Sequence, residues 1–144
     1  METRVTLERA IQIACATPMA RVMERATLDD ARHRVLATPL ASLVDDPRFD
    51  NSAMDGFAVR ASDCDRSGAR LKIVGTSQTG GETPPPIARA EACRIMTGAP
   101  MPEGADAIVM VEDTEADDEH VTIHGPARPA YIRRRAENLS KGQE

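Results

Sequence analysis

Pro47-Arg48-Phe49-Asp50-Asn51-Ser52-Ala53-Met54-Asp55-Gly56-Phe57-Ala58-Val59 is where the character of the sequence changes. Carboxylates, an amide and a hydroxyl crowd into Asp50–Asp55 directly ahead of the apolar run Phe57–Val59, which predicts a polar turn entering a strand. Such a turn can aim Asp55 into a cleft. Gly56 allows close backbone approach or a positive φ, and the Asp55 carboxylate could bind a metal ion or position water. Taken alone, an Asp-Gly pair before a strand reads first as an ordinary turn.

Downstream the pattern predicts further short strands at Leu71–Val74, Ala92–Met96, Ala107–Val111 and His120–His124, parted by turn-rich stretches at Asp65–Gly68, Gly80–Pro86 and Gly98–Gly104. Upstream, Thr6 is placed to cap a helix with Leu7, Ala10, Ile11 and Ala14 at helical spacing, ended by Thr17-Pro18. Ala20–Ala26 reads as extended. Thr27 then predicts a second helix with Leu28, Ala31, Val35 and Leu36 on one face, Asp29 and Asp30 in its first turn and Arg32–Arg34 in its last. The apolar run Leu40–Val44 stops at Asp45-Asp46-Pro47. The fold class expected is α+β, a mixed helical and extended start followed by a compact β-rich module. Tyr131–Glu144 is polar, is expected to carry no closing helix or strand, and looks like an interrupted end.

With 144 residues and 41% hydrophobic content the chain can build a core, but with so few aromatics it offers no stacking platform for bases. A formal charge of −5 argues against a general nucleic-acid or anionic-membrane binder. No apolar run approaches the roughly 20 residues of a membrane span, and the start lacks a secretory h-region, so a cytoplasmic location is expected. Cys15, Cys64 and Cys93 lack metal-site spacing and read as free thiols, Cys93 as a buried one.

Two more segments could carry chemistry. In Arg94–Met110 a strand leads into a loop braced by Pro100 and Pro102, with Thr97 at its mouth able to offer its hydroxyl and backbone N–H to an oxyanion. It is not a phosphate-binding P-loop, because the Gly-Lys-Ser/Thr ending is missing, and taken alone the segment reads first as a structural hairpin connection. Arg133, Arg134 and Arg135 could hold phosphate or an acidic partner surface, or form a solvated charge run. His120 and His124, about 13 Å apart on a strand, cannot chelate one metal. The acidic stretch Glu112–Glu119 lacks an EF-hand pattern.

Together these segments resemble the molybdopterin molybdotransferase family, to which the C-terminal domain of gephyrin belongs. Pro47–Ala58 matches the family pattern P-x-F-D-x-S-A-M-D-G-Y/F-A, and Arg94–Glu112, RIMTGAPMPEGADAIVMVE, is close to its consensus. Leu28–Ala37 fits Leu-x-x-Ala-x-x-Arg-Val-Leu-Ala, and an Arg-rich stretch with G-E-D-I and Lys-Gly appears, altered, as Arg133–Gly142.

The resemblance implies an elongated first domain, approximately residues 1–49 and 130–144, with a smaller β-rich second domain, 50–129, inserted into it. The family's molybdopterin-binding domain is absent, since nothing matches its G-D-E-L, S-G-G-x-S-x-G and L-P-G-N-P signatures. The implied reaction inserts molybdate into adenylylated molybdopterin, with Mg²⁺, releasing AMP by hydrolysis. Asp55 and Thr97 match residues implicated in activity, Asp55 helping to place the metal ion or water and Thr97 bonding an oxyanion. Ser52, Gly98 and Asn138 are the implied substrate contacts. Implied partners are a second copy in a homodimer, a molybdopterin-binding domain in cis or in trans, molybdopterin adenylyltransferase and apo-molybdoenzymes. Asn138 stands where the family usually has Asp, which removes a negative charge, Ala136 replaces its Gly, and His33 replaces a Gly common at the end of the second helix. Two alternatives stand beside the enzyme fragment: a non-catalytic dimerisation or scaffold module, and one chain of a split enzyme.

Overall fold

A computed structural model describes residues 4–16 and 22–144. They fall into two compact units, divided after Pro39. In the first, α1 spans Leu7–Ala16 as expected. Thr6 caps it, its hydroxyl accepting the Arg9 N–H at 3.3 Å and its carbonyl the Ala10 N–H at 2.9 Å. The residues ending this helix, and the start of the extended stretch from Ala20, lie outside the described residues.

The second helix does not form. Leu28–His33 makes successive turns instead, with the Ala31 N–H on the Leu28 carbonyl at 3.3 Å and the Arg34 N–H on the Ala31 carbonyl at 3.0 Å. The capping residue is nevertheless in place, since the Thr27 hydroxyl accepts the Asp30 N–H at 3.3 Å. A short helix depends on burying its apolar face, and here Leu28 and Val35 are 91% and 92% exposed. His33 adopts φ +65°, a left-handed conformation that interrupts helical continuation and that glycine would enter without strain.

The second unit is built on a six-stranded sheet. Its strands are β2 (Gly56–Val59), β3 (Ala69–Ser77), β4 (Glu91–Ile95), β5 (Ala107–Met110), β6 (Thr114–Ala116) and β7 (His120–Ile123), in the order β5-β2-β4-β3-β7-β6. The strands expected from sequence all form. All neighbours are antiparallel except β3 and β4, whose parallel pairing shifts register between Ile73 and Gly75. A parallel neighbour needs a long connection, supplied by the proline-rich segment 78–90.

Both faces of the sheet are covered, so β2 is buried along its whole length. Phe57, Val59, Leu71, Ala92, Val109, Val121 and Ile123 pack on one face; Ala58, Cys93, Ile95, Ile108 and Ile132 pack on the other. Burial pushes the Cys93 thiol up to about 11, which keeps it protonated and inert. Two short strands escape the sequence pattern, β1 (Asn51–Ser52) and β8 (Ile132–Arg133), which pair antiparallel as Asn51 with Arg133 and Ser52 with Ile132. The polar C-terminal stretch therefore does contribute a strand. Beyond it, the Leu139 carbonyl accepts the Asp46 N–H at 2.8 Å and the Gln143 carbonyl the Ser42 N–H at 2.9 Å. No helix of the described residues is long and apolar enough to cross a membrane.

Candidate active site

Gly56 anchors the start of β2. A Cβ there would sit 2.0 Å from the Val109 carbonyl oxygen, so β2 lies on β5 at a separation only glycine allows. The Val111 N–H reaches the Asp55 carbonyl at 3.1 Å and extends this contact. Ser52, 1% exposed, makes the turn ahead of it: its hydroxyl accepts the Met54 N–H at 3.1 Å and donates to the Met54 carbonyl. This fold-back sends Asp55 toward the end of β4.

There the Ala99 N–H closes a turn on the Met96 carbonyl at 3.0 Å, with Gly98 in its third place at φ +79°, the type II arrangement. The turn lies against Ser52, whose carbonyl accepts the Gly98 N–H at 2.8 Å and whose N–H donates to the Ala99 carbonyl at 3.0 Å. Thr97, at the second place, donates its backbone N–H to Asp55 Oδ1 at 2.7 Å and its hydroxyl to the same atom at 2.9 Å. These bonds, the backbone one first, hold the exposed Asp55 carboxyl below the usual carboxylate range. Asp55 is therefore ionised at neutral pH.

Ser52, Asp55, Thr97 and Gly98 thus converge on one spot, while Asn138 stands apart from them. Its backbone N–H and side-chain amide go to the Asp46 carbonyl and carboxylate, each at 2.9 Å. Thr97 differs in one respect from the sequence reading, because both donors expected to meet an oxyanion are spent on Asp55. Arg134 and Arg135 also have partners within the chain. Arg134 Nη1 meets Asp50 Oδ2 at 2.6 Å, and Arg135 Nη2 meets Asp45 Oδ2 at 2.6 Å.

Sequence reading missed Ser77 and Thr79. The buried Ser77 hydroxyl donates to the Pro100 carbonyl at 2.7 Å, and the Thr79 hydroxyl to the Thr97 carbonyl at 2.9 Å. Neither carries a local pattern that marks it, since each acts on a loop 18 or more residues away.

Among the described residues no group of three His, Cys, Asp or Glu side chains could hold a metal ion. Mg²⁺ is commonly held by one or two carboxylates completed by water and substrate phosphates, and Asp55 Oδ2, which accepts no hydrogen bond among the described residues, suits one such position.

Two solved structures of molybdopterin biosynthesis MoeA proteins from Pyrococcus horikoshii share this fold. One superposes with a TM-score of 0.72 at 30% identity over 96% of this chain and 37% of that one; the other with 0.76 at 28% over 83% and 33%. The α+β architecture is thus that of the MoeA class. The family model of the MoeA N-terminal region (domain I and II) matches residues 5–144, and the chain belongs to that family. Similar proteins include the molybdopterin molybdenumtransferases of Synechococcus elongatus, 43% identical over 83% of this chain, and Haemophilus influenzae, 39% over 87%. The chain spans about a third of their length, 31% of each.

Proposed function

We propose that this chain is the N-terminal portion of a molybdopterin molybdotransferase, which inserts molybdate into adenylylated molybdopterin and releases AMP in the cytoplasm. The observation that carries this reading is the Asp55–Thr97 pair, built from two segments distant in sequence and left exposed on one side. With its pKa depressed, Asp55 is a weak proton acceptor, and its role is to hold charge: it would bind Mg²⁺ or orient the water that cleaves the phosphoanhydride and releases AMP. Bound Mg²⁺ would neutralise phosphate and oxyanion charge. Thr97 fixes the Asp55 carboxylate, and Ser52 and Gly98 hold the turn that carries Thr97.

In this reading residues 1–49 and 130–144 belong to an elongated first domain and 50–129 form an inserted second one. The bridge between Asp46 and Leu139 supports it by joining the segments on either side of the insert. The exposure of Val22, Leu28, Val35, Leu36 and Leu43 supports a homodimer that covers them. The molybdopterin-binding domain is supplied by further chain or by a separate protein. A non-catalytic dimerisation module is favoured only by Asn138, whose amide is taken up by Asp46.

Reconstitution tests the proposal. The chain is mixed with a separately produced molybdopterin-binding domain, adenylylated molybdopterin, molybdate and Mg²⁺, and AMP release is followed. AMP release that needs both proteins is the expected result. None at saturating concentration, when one covalent chain holding both parts is active, excludes the split enzyme; inactivity of that chain too overturns the enzymatic reading.

A further inference from the structure

We propose that Thr79 is a positioning residue of the Asp55–Thr97 pair, its hydroxyl fixing the orientation of the peptide between Thr97 and Gly98. This inference rests on the functional reading above. Type I and type II turns differ by a flip of their central peptide. In the turn Met96–Ala99 that peptide is the one joining Thr97 to Gly98. Its carbonyl accepts the Thr79 hydroxyl at 2.9 Å, and its N–H donates to the Ser52 carbonyl at 2.8 Å.

Glycine visits positive and negative φ about equally, so the backbone at Gly98, here at φ +79°, does not by itself select one peptide orientation. Selection falls to the two bonds that clamp the peptide from opposite sides. Gly98 also makes room for the clamp, since a Cβ there would lie 3.3 Å from the Thr79 hydroxyl oxygen. Thr79 itself sits on a turn closed by the Gly81 N–H on the Gln78 carbonyl at 3.1 Å. One turn is therefore docked on another through a single hydroxyl, with the buried Ser77 bond to Pro100 anchoring its base. Releasing the Thr97–Gly98 peptide would loosen Thr97 and, with it, both donors that hold Asp55.

The test compares the 144-residue chain with Thr79→Val, which removes the hydroxyl at nearly constant volume, and with Thr79→Ser, which restores it. Thr79→Ala serves as a second variant without the hydroxyl. The readouts are the Thr97 amide proton shift, low-field for a short charge-assisted bond, and hydrogen exchange at Gly98. Both hydroxyl-less variants should move the Thr97 amide upfield and speed Gly98 exchange about tenfold, the effect of losing one ordinary hydrogen bond. Thr79→Ser should match the parent, with amides of β2 and β5 unchanged throughout. A parental Thr97 shift and Gly98 exchange rate in Thr79→Val and Thr79→Ala overturns the inference, as does failure of Thr79→Ser to restore them. These readouts require no turnover, so they separate failure of the clamp from failure of the transferase reading.

Discussion

Asp55 Oδ1 takes both donors of Thr97, the backbone N–H at 2.7 Å and the hydroxyl at 2.9 Å, across 42 residues of sequence. The two bonds fix the carboxylate from one side only. Everything around the pair serves this geometry: Gly56 brings β2 onto β5, Ser52 folds the chain back, and Gly98 shapes the turn that presents Thr97.

The bonds to Asp55 predict a pH dependence with a definite sign. Its folded-state pKa is lowered, as are those of Asp45, held by the Lys141 N–H and Arg135, and Asp50, held by the Arg135 N–H and Arg134. Around and below the ordinary carboxylate value of about 3.9 the unfolded chain binds more protons, so stability rises with pH there. The contribution is complete above that value and is lost as pH falls through the folded-state values. Urea midpoints between pH 2 and 6 should fall less steeply with acid in Asp55→Asn than in the parent; identical slopes would contradict the assigned bonds.

Gly56→Ala tests the contact between β2 and β5. The added methyl would meet the Val109 carbonyl oxygen at 2.0 Å, and backbone on both sides must move to admit it. A loss of about 3 kcal/mol is expected, the upper part of the range for overpacking a core. Urea denaturation reads it directly, and a midpoint equal to the parent's would show that the strands are less closely apposed.

Asn138→Asp would restore the charge usual in the family and place a carboxylate beside Asp46 Oδ2, where the Asn138 amide now donates at 2.9 Å. Both residues are exposed, so the penalty should be up to about 1 kcal/mol at low ionic strength and should shrink in salt. Thermal unfolding across a salt series measures it. A stability loss independent of salt would mean that packing, not charge, governs this position.

The sheet was legible because Phe57–Val59 and Ala107–Val109 are short apolar runs, buried throughout, and Ala92–Ile95 is apolar and buried except at Arg94. β1 and β8 were not, since Asn51-Ser52 and Ile132-Arg133 hold together through pairing with each other rather than through any local pattern. At Leu28–Leu36 the periodicity was helical, yet isolated spacing does not make a helix when Leu28 and Val35 bury almost nothing. The pairing of the candidate residues Asp55 and Thr97 has its sequence signal in the family motifs, which carry both. The hydroxyls of Ser77 and Thr79 have no such signal, because they act on carbonyls whose proximity only the β3–β4 pairing creates. The charged segment Arg133–Arg135 offers from sequence either a ligand or partner surface or a solvated charge run, whereas Asp45 and Asp50 of the same chain meet two of its arginines.

The most direct test of the Asp55–Thr97 pair as the working centre is molybdenum insertion by Asp55→Ala in a complete transferase carrying this region, with circular dichroism and thermal unfolding as controls for folding. A loss of at least about a hundredfold in insertion rate with the fold retained is predicted, the scale set by removing one preorganised electrostatic group from an active site. Insertion at the parent rate would contradict the role assigned to Asp55.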